Sequence, residues 1–354
     1  MGLNRCLRQL WHGTRPRSSC SRAVHRGQVR AASTGTLPSS TFFGLNTGDA
    51  SLSFAFASAC KPHPDKVQRG GEDSYFACSQ TGCFGIADGV GGWSETGLDP
   101  GAFARTFLRF AYEGIQSQTS CSLVDLQEVF RTAANRLQIV RQMGSSTAVV
   151  GQLCGSTLAI LNLGDSGVLL LRPALRTRTP RKPNADRVMF PRVVFRSSDQ
   201  THYFNCPYQL GGSGPPAEDP DLVFVRVRPG DIVIAASDGV FDNLFDHQVQ
   251  AIVAHHLAAA WKSQTQAGIA SSEVEPFLPD LAAGIADQAR HIGNQEGLKE
   301  VITPWALTAQ SEGLAFHGGK LDDIALVVGL VQEGGKPGEG ERGRSLPELH
   351  NFYA

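Results

Sequence analysis

Five stretches of the sequence place an acidic residue at the boundary of an apolar run. Three runs end in an acid that is followed by a small residue, at Asp88-Gly89, Asp165-Ser166 and Asp238-Gly239. Two runs begin with paired acids, Glu72-Asp73 and Asp322-Asp323. Short apolar runs of this kind are typical of buried strands, so the carboxylates gather where strands begin and end. Carboxylate oxygens are the ligands that hard divalent cations such as Mg²⁺ and Mn²⁺ prefer.

Hairpin geometry predicts that some of these acids meet. Only a short turn at residues 79–82 separates the run beginning at Asp73 from the run ending at Asp88. In an antiparallel hairpin the start of one strand lies beside the end of the next, so Glu72, Asp73 and Asp88 should share one sheet edge. Asp238 and Asp322 reach an edge too if their strands are adjacent in the same sense. One Asp-Gly is ordinary turn chemistry, but clustered ionised carboxylates are costly without a cation, which favours a metal site.

Strand patterns dominate the sequence around the acids. Apolar and small residues alternate over 52–56, and apolar runs occupy 84–87, 158–163, 168–171 and 324–331. Valines alternate with other residues over 223–227, and Pro229-Gly230 then predicts a turn into a returning strand at 232–235.

Four amphipathic helices interrupt these strands. Asp99-Pro100 predicts a helix start before Phe103, Phe107 and Phe110. Ser122 and Asp125 resemble a capping box for a helix running to Val140. Two further helices carry the apolar residues of 249–261 and 278–292. Because the helices come in pairs between groups of strands, the pattern favours an α+β fold of antiparallel sheets packed together and flanked by helices.

The net charge of −1 hides an asymmetry along the chain. Residues 1–48 hold seven arginines and no acid, which leaves 25 basic against 33 acidic residues, about −8, in the remainder. An acidic body argues against a nucleic-acid partner, because binding to the phosphate backbone needs clustered cations. No apolar run approaches the roughly 18 residues of a membrane span, so no transmembrane segment is expected.

Composition also divides the chain into three parts. Residues 1–45 are arginine-rich and acid-free, which is typical of a mitochondrial targeting segment, with a disordered basic tail as the alternative. Residues 50–332 are expected to form one folded domain. Residues 333–354 are glycine-rich and of low complexity, so they are expected to be a disordered tail.

Six motifs occur in order along the predicted domain: Arg69-Gly-Gly-Glu72-Asp73, Asp88-Gly89-Val90-Gly91-Gly92, Gly144-Ser145-Ser146-Thr147, Leu163-Gly164-Asp165-Ser166, Ser237-Asp238-Gly239-Val240-Phe241-Asp242 and Asp322-Asp323-Ile324. Their series resembles that of the type 2C, or PPM, protein phosphatases, over about residues 50 to 331. Residues 202–210 resemble the mitochondrial branch of that family, whose members are tied to ubiquinone biosynthesis and mitochondrial maintenance. The resemblance implies a β-sandwich with helices on both outer faces.

The resemblance also implies a serine/threonine protein phosphatase with two Mg²⁺ or Mn²⁺ ions, whose catalytic carboxylates are Asp88 and Asp238. Asp88 would bridge the ions, and the Gly89 carbonyl would complete one site. Asp238 and Asp322 would hold the other ion, with Glu72 and Asp73 in the same cluster, and Asp165 would help to bind a weaker third ion. Water activated between the ions would attack phosphorus. The expected partners are phosphorylated proteins of the mitochondrial matrix; the preferred metal and the oligomeric state stay open.

Three positions bear on how closely the chain follows that pattern. Asp323 stands where many members have Asn. Val90 stands where many have a histidine proposed as the general acid, and His202 is the one histidine we nominate instead. Arg69 is the expected phosphate-binding residue, because guanidinium pairs bidentately with phosphate, and Lys66 is its rival. The alternative function is that of a catalytically weak binding protein on the same fold.

Overall fold

The computed structural model describes residues 52–118, 123–177, 187–211, 220–267 and 277–334. The predicted targeting segment at 1–45 and residues 335–354 of the predicted tail therefore lie outside the described residues. No helix within the described ranges is long and apolar enough to cross a bilayer.

A first sheet contains five antiparallel strands. Its order is β1 (Leu52–Lys61), β16 (Ile324–Glu333), β15 (Ile232–Ala236), β7 (Gly167–Arg172) and β10 (Arg192–Arg196). β1 and β16 pair along ten residues, from Leu52 opposite Glu333 to Lys61 opposite Ile324. The first and last strands of the described domain therefore lie side by side.

A second antiparallel sheet also has five strands. Its order is β14 (Asp221–Arg226), β6 (Thr157–Leu163), β5 (Ala148–Cys154), β3 (Cys83–Asp88) and β2 (Asp73–Cys78). Three short two-stranded ribbons accompany the two sheets. They are β4 (Ser145–Ser146) with β13 (Leu210–Gly211), β8 (Leu175–Thr177) with β9 (Arg187–Met189), and β11 (Thr201–Tyr203) with β12 (Cys206–Pro207).

The hairpin predicted for 223–227 and 232–235 is wrong. β14 pairs with β6 in the second sheet, whereas β15 pairs with β7 and β16 in the first. The turn at Pro229-Gly230 does reverse the chain, with Gly230 at φ 87°, but it carries the chain from one sheet to the other. Burial explains the separation, because all five β15 residues are buried mid-sheet while β14 is an edge strand whose Phe224 is 55% exposed.

Helices cover the outer face of each sheet. α1 (Pro100–Ser117) and α2 (Leu126–Ile139) pack with the second sheet, and α4 (Asp246–Ala267) and α5 (Phe277–Gly293) pack with the first. These are the four predicted helices. Two short helices, α3 (Asp238–Phe241) and α6 (Pro304–Ser311), were not predicted.

Helix starts follow ordinary capping chemistry. The Asp99 side chain accepts a hydrogen bond from the Gly101 amide at 3.0 Å, with Pro100 at the first helical position. At α2 the predicted capping box is wrong. Asp125 is itself the N-cap, accepting from the Glu128 amide at 3.0 Å, and Ser122 lies outside the described residues. The Asp125 side chain therefore caps the helix by itself, because its carboxylate reaches the backbone amide of Glu128.

Three apolar layers hold the architecture together. One lies between the sheets and includes Phe84, Ile86, Ile160 and Leu170, and the other two lie between each sheet and its helices. Fully burying one such side chain contributes about 1.5–3 kcal/mol, so the layers fix the strand ends firmly. The predicted α+β sandwich of antiparallel sheets flanked by helices is confirmed.

Candidate metal centre

The β2–β3 hairpin brings its acids together as hairpin geometry requires. Asp73 lies directly opposite Asp88, and the turn falls at residues 79–82. The Gly89 amide donates to the Glu72 carbonyl at 3.0 Å, which places the third acid of this group at the same end. The predicted meeting of Glu72, Asp73 and Asp88 is confirmed.

The second group of acids arrives from the other sheet. β15 and β16 are antiparallel neighbours with Ala236 opposite Leu326, so Asp238 after β15 and Asp322 before β16 lie at the same end. Ser237 joins the two sheets there. Its hydroxyl donates to Asp73 Oδ2 at 2.6 Å, and its amide donates to the Ala325 carbonyl at 3.0 Å.

Two consecutive glycines just before β2 make room for Asp323, which precedes β16. Gly70 and Gly71 have φ of 79° and 82°, which is left-handed backbone. A Cβ on Gly71 would lie 2.7 Å from Asp323 Oδ1, closer than such atoms approach. The Gly-Gly pair therefore lets the chain turn beneath Asp323 before it enters β2.

The Gly-Ser-Ser-Thr motif fastens the loop that follows Asp88. Ser145, Ser146 and Thr147 are all buried. The Thr147 amide donates to the Asp88 carbonyl at 2.9 Å, and the Asp88 amide donates to the Thr147 hydroxyl at 3.1 Å. The Val90 amide donates to the Ser145 carbonyl at 2.9 Å. This motif thus positions Asp88 and the Gly89 carbonyl through the backbone.

Lys66 lies within the acidic cluster, whereas Arg69 lies at its rim. Lys66 Nζ is 2.6 Å from Glu72 Oε2 and 2.8 Å from Asp323 Oδ2, with 23% of the side chain exposed. Arg69 is 46% exposed and its Nη2 is 3.6 Å from Glu72 Oε1. Burial acts to lower the pKa of the Lys66 ammonium, but the Asp323 charge outweighs it and the pKa lies above its ordinary value. Lys66 therefore balances the extra negative charge that Asp323 brings to a position where many family members have Asn.

Lys320 serves the opposite side of the cluster. Its Nζ lies 2.5 Å from Asp238 Oδ2, 2.7 Å from Asp242 Oδ2 and 3.1 Å from Asp322 Oδ2. Burial acts to lower the pKa of this ammonium, but the Asp238 charge and its neighbours raise it well above its ordinary value. The ammonium of Lys320 is thus stabilised by three neighbouring carboxyl groups.

The carboxyl groups respond differently to this environment. Burial and neighbouring negative charges raise the pKa values of Asp73, Asp88 and Asp242 well above their ordinary range. Burial, with the charge of Asp238, raises the pKa of Asp165 to about 7. Burial would also raise the pKa of Asp238, but the Lys320 ammonium outweighs it and the pKa is lowered. Lys320 thus stabilises the ionised form of Asp238, whereas Asp73, Asp88 and Asp242 hold their protons more tightly than free carboxyl groups do when no cation is bound.

The donor set fits hard divalent cations. Asp73 Oδ1 and Asp165 Oδ1 are buried without a hydrogen-bond partner, which is costly for a carboxylate unless a cation or proton satisfies it. As the side chains stand, no three His, Cys, Asp or Glu residues of the described ranges are arranged to hold an ion. Glu72 is paired with Lys66, and Asp238 and Asp322 are paired with Lys320, so rotation of these side chains would have to accompany metal binding on a backbone already in position.

Some residues of this site escaped the sequence analysis. Lys320 was not singled out, and Asp242 appeared only as the end of a motif. His202, nominated as a general acid, lies exposed on β11, and the centre of its ring is 4.6 Å from that of Tyr208 with the two rings tilted by 41°. The ligand roles of Glu72, Asp73, Asp88, Gly89, Asp165, Asp238 and Asp322 and the phosphate-binding role of Arg69 stay predictions.

Comparison with known proteins identifies relatives of one kind. The chain is 35% identical over 282 residues to probable protein phosphatase 2C 55 of Arabidopsis thaliana, covering 79% of this chain but 52% of that relative. It is 31% identical to probable protein phosphatase 2C 80 over 88% of this chain and 69% of the relative, and 32% identical to probable protein phosphatase 2C 26 over 76% and 81%, both from the same plant.

Comparison with solved structures supports the fold. The X-ray structure of the photosystem II phosphatase PBCP superposes with a TM-score of 0.61 at 24% identity, covering 79% of this chain and 99% of that one. No protein-family model matches the chain. Two relatives more than 30% identical are nevertheless matched over more than two thirds of their length. The chain therefore belongs to the protein phosphatase 2C family of metal-dependent serine/threonine phosphatases.

Proposed function

We propose that this chain is an active, metal-dependent phosphatase that hydrolyses phosphoserine and phosphothreonine in proteins of the mitochondrial matrix. The observation that carries the activity is the convergence of buried acids from both sheets, joined by the hydrogen bond from Ser237 to Asp73. The unpartnered oxygens of Asp73 and Asp165 support a cation requirement at that point.

The residues of the cluster have separable tasks in this proposal. Asp88, the Gly89 carbonyl, Asp238 and Asp322 would hold two Mg²⁺ or Mn²⁺ ions, with Glu72 and Asp73 completing the cluster. When bound, such ions lower the pKa of a shared water and neutralise charge on phosphate. Arg69 is exposed at the rim, where its Nη1 donates to Ser94 Oγ at 3.3 Å and its Nη2 lies 3.6 Å from Glu72 Oε1. From there its guanidinium fork would exchange these contacts for an incoming phosphate.

The mitochondrial part of the proposal is supported by sequence alone. Residues 1–48 carry seven arginines and no acid, and residues 202–210 resemble the mitochondrial branch. On that resemblance the substrates include phosphoproteins of ubiquinone biosynthesis. We expect the precursor to be cleaved near residues 30–34, which N-terminal sequencing of protein recovered from isolated mitochondria measures. Intact Met1 on matrix protein would refute cleavage, and cytosolic residence would refute targeting.

Asp238→Asn tests the activity. The neutral side chain removes one charged ligand from a strand end, so Mn²⁺-dependent hydrolysis of a phosphopeptide should fall by about 10³-fold or more, since the ions supply several kcal/mol to the transition state. Circular dichroism should still show a folded protein. Asp238 is already compensated by Lys320, so its removal is not expected to stabilise the metal-free protein.

Asp287→Asn is the matched control. Asp287 is 68% exposed and pairs with Lys61 on the surface, so its loss should leave turnover unchanged. Near-normal turnover with unchanged Mn²⁺ affinity in Asp238→Asn would eliminate Asp238 as a ligand. A wild-type protein that binds Mn²⁺ and phosphopeptide without turnover would instead favour the catalytically weak binding protein.

A further inference from the structure

Two cysteines lie opposite each other at the turn end of the β2–β3 hairpin. Cys78 is the last residue of β2, and its directly opposed partner is Cys83, the first residue of β3. Both are free thiols. Directly opposed residues of antiparallel strands project from the same face with Cα atoms about 4.5–5.5 Å apart. Disulfides usually join Cα atoms about 4.4–6.8 Å apart, so the backbone already has the spacing that a bond between these two residues needs.

The two side chains lie in the apolar layer between the second sheet and its helices. Cys78 is 5% exposed and Cys83 is fully buried. The hydroxyl of Thr81, in the turn, is 2.7 Å from Cys83 Sγ and donates to the Cys78 carbonyl at 3.5 Å. From α1, the Tyr112 hydroxyl donates to Cys78 Sγ at 3.5 Å. The chain thus encloses both sulfur atoms beneath a short turn, with a hydroxyl group against each.

These surroundings make the two thiols unequal. Burial acts to raise the pKa of the Cys78 thiol, but hydrogen bonds from Thr81 and Tyr112 outweigh it and the pKa lies below its ordinary value. Burial raises the pKa of the Cys83 thiol to about 12. Because the thiolate is the nucleophile, Cys78 is the sulfur that reacts first with an oxidant. Turn residues 79 and 80 are exposed, so a molecule as small as hydrogen peroxide reaches Cys78 through a local opening of the hairpin end.

We propose that the Cys78–Cys83 pair is a modification site, at which hydrogen peroxide converts two thiols into a disulfide that cross-links the hairpin. The Cys78 thiolate attacks one peroxide oxygen, the O–O bond breaks, and hydroxide leaves, which gives a sulfenic acid. The Cys83 thiol then attacks the Cys78 sulfur, the S–O bond breaks, and the thiol proton leaves with hydroxide as water. The two thiols together lose two electrons, and the peroxide is reduced to water.

The cross-link acts on the hairpin that also carries two acids of the metal centre. Asp73 and Asp88 lie at its other end, each five residues from a cysteine of the same strand. A slip of one residue would turn every side chain of a strand to the opposite face, and the disulfide prevents that slip. In the metal-free protein, like charges at the acid end oppose the pairing. The disulfide therefore preserves the strand register when no cation is bound.

Peptide mapping of the whole chain shows whether the bond forms. Trypsin should release residues 70–105 as one peptide, because no Lys or Arg lies between Arg69 and Arg105, and the cysteines of that peptide are Cys78 and Cys83 alone. After stoichiometric hydrogen peroxide and alkylation under denaturing conditions, we expect this peptide to be unalkylated and lighter than the reduced peptide by two hydrogen atoms. Dithiothreitol should restore two alkylation sites. Two alkylated cysteines after peroxide, or a sulfinic acid at Cys78, would overturn the proposal.

Single variants assign the two roles. Cys83→Ala removes the second thiol, so peroxide should leave Cys78 as a sulfenic acid that dimedone labels. In Cys78→Ala, peroxide should oxidise Cys83 about 10-fold more slowly than it oxidises Cys78 in the other variant. Equal rates would overturn the assigned order. Cys154→Ala is the matched control, because Cys154 lies opposite Thr157 rather than another cysteine, and this variant should form the disulfide as the wild type does.

Melting temperatures test the consequence for the hairpin. In EDTA the oxidised wild type should melt about 4 °C above the reduced wild type, because the bond restricts the unfolded chain. Cys83→Ala should show no such rise after peroxide. Mn²⁺ affinity should be equal in the oxidised and reduced wild type, since the bond lies at the far end of the hairpin from the acids. A lower melting temperature after oxidation would overturn the stabilising role, whereas absence of phosphatase activity would contradict the proposed function alone.

Discussion

Asp73 on β2 and Asp88 on β3 occupy directly opposed positions of one hairpin, so a buried and a partly buried carboxyl group lie side by side at the same end of the two strands. Like charges this close destabilise the metal-free protein. Asp88→Asn should raise its melting temperature in EDTA by about 3 °C and abolish the further increase that Mn²⁺ produces in the wild type. Melts with and without Mn²⁺ measure both effects. Asp125→Asn is the control, because asparagine caps a helix as well as aspartate.

Stability without metal should depend on pH through Asp165. Its pKa rises from 3.8 to about 7 on folding, so between those values the folded protein binds the proton more tightly than the unfolded chain does. That stabilisation is complete below pH 3.8 and declines as the pH rises through 7. In EDTA, Asp165→Asn should therefore stabilise the protein more at pH 7.5 than at pH 5, by about 3 °C. Equal melting-temperature changes at the two pH values would contradict this.

Gly71→Ala tests the space beneath Asp323. Alanine at φ 82° is strained, and its Cβ would lie 2.7 Å from Asp323 Oδ1. Gly97 is a matched control, because its φ is 81° and a Cβ there meets no atom within 4 Å. We expect Gly97→Ala to cost about 1–2 kcal/mol of unfolding free energy and Gly71→Ala clearly more, with weaker Mn²⁺ binding only in the latter. Urea unfolding and metal titration measure the difference, which vanishes if Asp323 can move aside freely.

Substitution of Arg69 should change KM for the substrate, whereas substitution of Lys66 should change Mn²⁺ affinity and stability. Arg69 is at the rim, so Arg69→Ala should raise KM for a phosphopeptide about 10-fold with unchanged Mn²⁺ affinity. Lys66 pairs with Glu72 and Asp323, so Lys66→Met should alter Mn²⁺ affinity and metal-free stability. Arg131→Ala, at an exposed helical position, should change neither. The reverse pattern would make Lys66 the phosphate-binding residue.

Val90 predicts how the rate depends on the leaving group. Valine cannot donate a proton, and a positioned acid typically contributes about 10²–10⁴-fold. Aryl phosphates should therefore be hydrolysed much faster than alkyl phosphates when chemistry limits the rate. Val90→His should flatten the dependence if its imidazole reaches the leaving oxygen, since the loop stays anchored by the backbone bond to Ser145. A flat series in the wild type that persists in His202→Ala would reveal an unidentified acid.

The meeting of the acids on the β2–β3 hairpin could be predicted from residues that are close together in the sequence. Asp73 and Asp88 flank one short turn, and antiparallel pairing then dictates that they meet. The helix start at Asp99 follows from a capping residue and a proline beside an apolar face, whereas at α2 the helix was predicted but its N-cap residue was not. In each case the residues that decide the structure are close together in the sequence.

Long-range contacts were not predictable in this way. Lys320 meets Asp238 across 82 positions and Lys66 meets Asp323 across 257, and a solitary lysine gives no signal of a buried partner. The turn at Pro229-Gly230 could be predicted from the sequence. The sheet that the following strand joins could not, because it depends on how both sheets pack. The contact of Lys66 with Asp323 forms only when the two sheets pack together, and that of Lys320 with Asp238 forms only when β15 and β16 pair within the first sheet.

The ten-residue pairing of β1 with β16 has a consequence for folding kinetics. Lys61 opposes Ile324, so this strand pair closes a loop that contains nearly the whole domain. Such non-local pairing slows folding, because the entropy of closing the loop is lost before the contacts form. During synthesis β1 emerges long before its partner and exposes an unpaired strand edge, which is a site for aggregation or chaperone binding. The first sheet can reach its native strand order only after residues 324–333 have been made.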